Sequence, residues 1–207
     1  MTWSGEREYG EPEVARQMLQ QAPIVPIAVL PENTFGRVRG VCTPFRELDV
    51  LIAPVSGRSC FLYLVHVEAI YLDRRHVYGE RRGTPFVIEE DDHRAIVDPA
   101  HGLLRIRYEH VATRYGARGA TPYEQVLLRR LGVPDDPNDF RPPPRYVFQE
   151  ARIESGSRVA IFGSGTREAD PDADPVAMYR GEPQTRLRIA GSPRGPIAIS
   201  NDPDTLG

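Results

Sequence analysis

Lysine is missing from this chain of 207 residues, and all 26 of its basic residues are arginine. No Schiff-base lysine, phosphate-loop lysine or lysine general base can therefore exist. Cysteine is almost missing too. Cys42 and Cys60 alone cannot furnish a zinc ribbon or a RING site. They fall on segments that read as neighbouring strands, where a disulfide is conceivable but two buried free thiols are the favoured reading. Long apolar runs are scarce. The best, Ile24 to Leu30, is short and contains Pro26, so it cannot span a bilayer. With no secretory signal at the N-terminus, the chain is expected to be cytoplasmic and not inserted in a membrane. The net charge of −3 gives no bulk attraction to nucleic acid or anionic lipid. No nucleophile elbow, His-Glu-x-x-His, phosphate loop or paired-carboxylate motif occurs. These absences point away from an enzyme and predict no catalytic residues, no metal and no cofactor.

Proline (20) and glycine (18) are plentiful, which favours many short elements over long helices. Strands are expected over residues 35–45, 60–71, 84–89, 94–98 and 103–108, and a strand, tight turn and strand over 146–162. Closing strands follow at 185–190 and 196–200. Pro12 to Gln21 has a helical first turn. Thr121 to Leu131 is the clearest helix: Thr121 suits an N-cap, Pro122 sits at the first helical position, Glu124 completes a capping box and Gly132 follows. Asp73 to Gly83 reads as a solvated connection, and Pro134 to Pro144 as an extended linker. The fold class expected is mainly β, an OB-like five-to-seven-stranded antiparallel barrel with one inserted α-helix. An N-terminal arm (1–34) precedes the barrel domain (35–200), which carries an insertion at about 103–145, and a tail (201–207) follows.

Val159-Ala-Ile-Phe-Gly-Ser-Gly165 resembles the opening of a dinucleotide-binding unit, but the third glycine position holds Glu168, and Pro171 and Pro175 forbid the helix that must follow. The two glycines are better explained as a bend in a strand.

The ordered set Ala53-Pro-Val-Ser-Gly-Arg-Ser-Cys-Phe-Leu-Tyr63, Pro85-Phe-Val-Ile-Glu-Glu90, Ala95-Ile-Val-Asp-Pro99 and Gln149 to Gly163 resembles GIDE-type domains. These occur in bacteria and archaea, and in the beside-a-membrane region of the mitochondrial membrane-anchored E3 ubiquitin ligase. The resemblance covers roughly residues 35–200. It implies a module that recruits a partner or substrate, while a separate RING performs ubiquitin transfer. This sequence departs from the ligase in having no RING cysteines and no flanking transmembrane helices, so a ligase-associated role would rest on family naming alone.

The best interaction candidate is the cluster Arg74, Arg75, His76, Tyr78, Arg81 and Arg82. Arginines interleaved with aromatics can hold a protein partner, or track single-stranded nucleic acid by stacking and phosphate contact. Asp73, Glu80 and Glu89 to Asp92 dilute the positive field, which favours a protein or peptide partner. His66 lies mid-strand and reads as structural. His93, Asp98 and His101 lack metal-ligand spacing. Asp170, Asp172 and Asp174 have the first spacings of a calcium loop but not its glycine or its twelfth-position glutamate, so an acidic surface loop is expected. The sequence does not set the oligomeric state.

Overall fold

The computed structural model describes residues 11–46, 49–71, 74–132, 144–170, 185–192 and 195–207, and within them the chain is mainly β. A two-stranded ribbon joins β2 (Leu51–Ile52) to β3 (Ser59–Cys60). The large sheet has eight strands in the order β12 (Gly165–Ala169), β13 (Thr185–Ala190), β7 (His93–Asp98), β6 (Phe86–Glu90), β1 (Gly36–Pro44), β11 (Arg158–Gly163), β14 (Ile197–Ser200) and β8 (Gly102–Arg105). Most neighbours are antiparallel, but β13 runs parallel to β7 and β14 parallel to β8. One bent run of chain supplies two separated places in this sheet, since β11 passes through Ser164 straight into β12. Glycine is required at the bend. A Cβ on Gly165 would lie 2.5 Å from the Arg188 carbonyl oxygen, and one on Gly163 would lie 2.8 Å from the Ile189 side chain.

Strand alternation sends one side chain in two inward. Val38, Cys42, Phe86, Ile88, Val97, Val159, Ile161, Leu187 and Ile189 thereby meet in one buried cluster, and Phe61 stacks on Phe86 with ring centroids 5.8 Å apart. Each such side chain contributes about 1.5–3 kcal/mol on leaving water. The opposite side of β11 and β14 is covered by α1 (Glu11–Gln21), whose Ala15 and Leu19 pack on Ala160 and Ala198. A last turn of helix, α3 (Pro203–Leu206), is capped by Asp202. Helix α1 and the tail are thus built into the sheet's cover.

The second sheet has four antiparallel strands in the order β5 (Arg74–Gly83), β4 (Leu62–Tyr71), β10 (Arg145–Ile153) and β9 (Tyr108–Tyr115). Its two hairpin-like halves come from chain inserted between β1 and β6 and between β7 and β11. One face buries Val65, Val67, Ala69, Ala112, Tyr146 and Phe148 under α2 (Pro122–Leu131), which contributes Leu127 and Leu128. The expected capping box holds α2 at its start: Glu124 N donates to Thr121 Oγ1 at 3.2 Å, and Thr121 N donates to Glu124 Oε2 at 2.7 Å. Gly132 closes the helix at φ 72°. The other face joins the main core at Leu62, Leu64, Ala151 and Ile153. Farther up it is open, and Val77 and Val111 are 46% and 59% exposed.

Several expectations change. The sheets as paired are open, with more than seven strands, two parallel pairings and three α-helices among the described residues. The supposed solvated connection is strand β5, paired with β4 from Tyr71↔Arg74 to Leu62↔Gly83. Its arginines and glycines mask a strand because it lies at a sheet edge, where charge and weak β propensity are tolerated. Strand β9 was hidden in the same way by Glu109, His110 and Arg114. The proline-rich residues 133–143 and the acidic residues of 171–184, Asp172 and Asp174 among them, lie outside the described residues. Cys42 and Cys60 are both buried and both free.

Candidate functional site

Strand alternation divides the predicted arginine–aromatic cluster between two faces. Tyr78 and Arg82 share the α2 side of β5 with Glu80, whereas Arg81 projects from the opposite side. Arg74, Arg75 and His76 lie on the half of β5 next to the hairpin tip, and their side chains lie outside the described residues.

On the α2 side, Glu80 gathers its neighbours. The hydroxyls of Tyr63 and Tyr78 each donate to its carboxylate at 2.8 Å. Arg82 Nε sits 2.8 Å from Oε1, and Arg130 Nη1 of α2 donates to Oε2. Burial pushes the Glu80 pKa upward, but the two tyrosine hydroxyls and Arg130 outweigh it and hold the carboxyl below its ordinary value. Burial and the bond to Glu80 push the Tyr63 phenol up. This arrangement ties α2 to the sheet and leaves both rings occupied.

On the other side of β5 a cleft of about 270 Å³ opens between the two sheets. Leu64, Leu104, Ile106 and Tyr108 supply apolar walls, α1 reaches it through Pro12, and Gly79 adds no side chain to the floor. Arg81, Arg105 and Arg107 border it. The wall that carries them is rigidly held. Ser200 Oγ donates to Arg105 O at 2.8 Å, Arg107 N donates to Asn201 Oδ1 at 2.9 Å, and Arg105 Nε donates to Asp202 Oδ2 at 3.0 Å. Burial raises the Asp202 pKa, yet the Asp204 N–H and Arg105 overcome it and keep the carboxyl below its usual value. Arg81 Nη2 donates to Pro99 O at 2.8 Å, which fastens β5 to the end of β7. An apolar pocket with a few fixed polar groups at its mouth is the ordinary form of a binding site.

The structure does not gather the histidines. His66 Nε2 lies 3.1 Å from Glu68 Oε1 on the open face of the four-stranded sheet. His93 opens β7 on the surface, and Asp98 accepts the Ala100 N–H at 3.0 Å. Among the described residues no group of three His, Cys, Asp or Glu is placed to hold a metal ion. Burial pushes the Cys42 thiol up, and pushes Cys60 up to about 12, so neither is a ready nucleophile.

Sequence reasoning passed over Ile106, Arg107 and the Glu80 hub. The alternation Tyr78-x-Glu80-x-Arg82 was the available signal for the hub, had β5 been read as a strand. Ile106 and Arg107 carry no signal of their own, because only the approach of two separate insertions makes them a wall. Comparison with models of known protein families, with curated proteins and with solved structures finds no match. No helix among the described residues is long and apolar enough to cross a membrane.

Proposed function

We propose that the chain is a non-catalytic binding module of the GIDE type, built on an OB-like ring, that recruits a protein or peptide partner at the cleft beside β5. The observation that carries this reading is the cleft itself: apolar walls from two sheets, a fixed backbone rim, and arginines at the mouth. Support for the OB-like core comes from the pairing circuit. It runs from β1 to β6, β7, β13 and β12, and returns to β1 through the Gly163–Gly165 bend into β11. The single parallel pair in that circuit, β7 with β13, is the arrangement that an OB ring uses to close.

The single-stranded nucleic-acid reading is weaker. Stacking needs exposed ring faces, whereas Tyr78 is tied to Glu80 beneath α2. A photo-crosslinking amino acid at position 108, introduced into cells that express the protein, tests the proposal. Discrete protein adducts are expected, and Leu64→Trp, which fills the cleft, removes them. No adduct, or adducts indifferent to Leu64→Trp in a folded protein, would overturn it.

A further inference from the structure

Strand β5 is the last strand of its sheet. In an antiparallel pair hydrogen-bonded and non-bonded residue pairs alternate. Thr84 N donates to Phe61 O at 2.8 Å, one step beyond the Leu62↔Gly83 pair, so counting back by twos Glu80 bonds to Val65 and Tyr78 to Val67. Val77 and Gly79 therefore turn their backbone N–H and C=O groups away from β4. Among the described residues no strand pairs with that edge, and β5 lines the cleft at Gly79 and Arg81, next to Leu64 of β4.

We propose that β5 receives an extended, acidic segment of a partner protein as an added strand, with an apolar side chain of that segment seated in the cleft. This rests on the binding-module reading above and names its ligand class. An added strand places alternate side chains on each face of the sheet. Those on one side fall over Gly79, toward Leu104 and Ile106. Main-chain hydrogen bonds supply the pairing, and the cleft selects the side chain.

Charge selects an acidic occupant. Strand β5 holds Arg74, Arg75, Arg81 and Arg82 against the one acid Glu80. The Glu80 carboxylate is already engaged by Arg82 and Arg130, and Asp202 by Arg105, which leaves Arg74, Arg75 and Arg81 as the excess positive charge of the strand. Arg107 borders the cleft, and its charge also acts on Asp202. A second copy of this chain is a poor occupant, because β5 set against β5 brings together two strands of net positive charge, and like charges across an added strand repel.

The test uses the full chain and a fluorescently labelled peptide of about six residues, a typical strand length, alternating Glu with Val and Leu. Binding measured by anisotropy is expected, weakening as salt rises. The same peptide with Lys for Glu, and one N-methylated at the backbone nitrogens that face β5, should each bind at least about tenfold more weakly. Val77→Pro and Gly79→Pro remove an outward donor from an edge strand, a place where proline is tolerated, and each should lower affinity to the same extent while thermal unfolding stays near the parent's. Equal binding of the Lys or N-methylated peptide would overturn the proposal, as would full affinity in a folded proline variant. A dimer seen by analytical ultracentrifugation that Val77→Pro dissolves would also overturn it, since β5 would then be the chain's own interface. If both proline variants unfold, the N-methylated peptide decides alone. Position-108 adducts that persist in folded Val77→Pro would leave the binding-module reading intact and remove only strand addition.

Discussion

Glu80 is the residue on which the α2 side of the second sheet turns. One carboxylate accepts from two tyrosine hydroxyls and meets two guanidinium groups. Glu80→Gln keeps the shape but loses the charge, and hydrogen bonds to a charged group are worth about 1.5–3 kcal/mol. A loss of about 2 kcal/mol in urea unfolding at neutral pH is expected, and an unchanged midpoint would show that the hub is incidental. The pH dependence has a defined sign. The folded pKa of Glu80 lies below its unfolded value, so its stabilisation is complete above the ordinary glutamate pKa of about 4.3 and disappears as pH falls through the folded value. The gap between parent and Glu80→Gln should therefore narrow on acidification below about pH 4. The sequence showed Glu80 only as a charge that dilutes the arginines. Its role depends on Tyr63 and Arg130, which are distant in sequence, and no spacing rule links them.

At the scale of elements, the legible parts were those with local causes. The α2 cap was visible because Thr121, Pro122, Glu124 and Gly132 act within one or two turns of each other. Thr121→Ala should cost about 1 kcal/mol in chemical denaturation, and no loss would mean that the Arg114 pair with buried Glu124 holds the helix start unaided. The tight turn before β11 and the bend at Gly163 and Gly165 were legible for the same reason. Strands β5 and β9 were not, since edge strands with one solvated face carry charges that imitate loops. The parallel pairings of β13 with β7 and β14 with β8 join segments far apart in sequence, and alternation within each strand says nothing about its partner.

Across the whole molecule, one apolar cluster lies within the eight-stranded sheet and takes in Leu62, Ala151 and Ile153 from the second sheet, while another lies beneath α2. Ile189→Val in the first should cost about 1 kcal/mol and Leu127→Ala in the second about 3 kcal/mol. Because the two belong to separate clusters, the double variant should show the sum to within about 0.5 kcal/mol in urea titration. A larger discrepancy would mean that the two sites are energetically coupled. The cleft belongs to this scale as well. No single segment encodes it, because Leu64 and Ile106 arrive from different insertions and meet only when both sheets stand.

The order in which the second sheet is assembled affects the protein during its synthesis. Strand β4 leaves the ribosome early, whereas its inner neighbour β10 is made only after β6 through α2 have been completed. For that interval Val65 and Val67 have neither α2 above them nor β10 beside them, and the nascent chain displays a sticky hairpin. The arginines along β5 then act as gatekeepers, keeping the half-built sheet from joining another ribosome's product until its own late strand arrives.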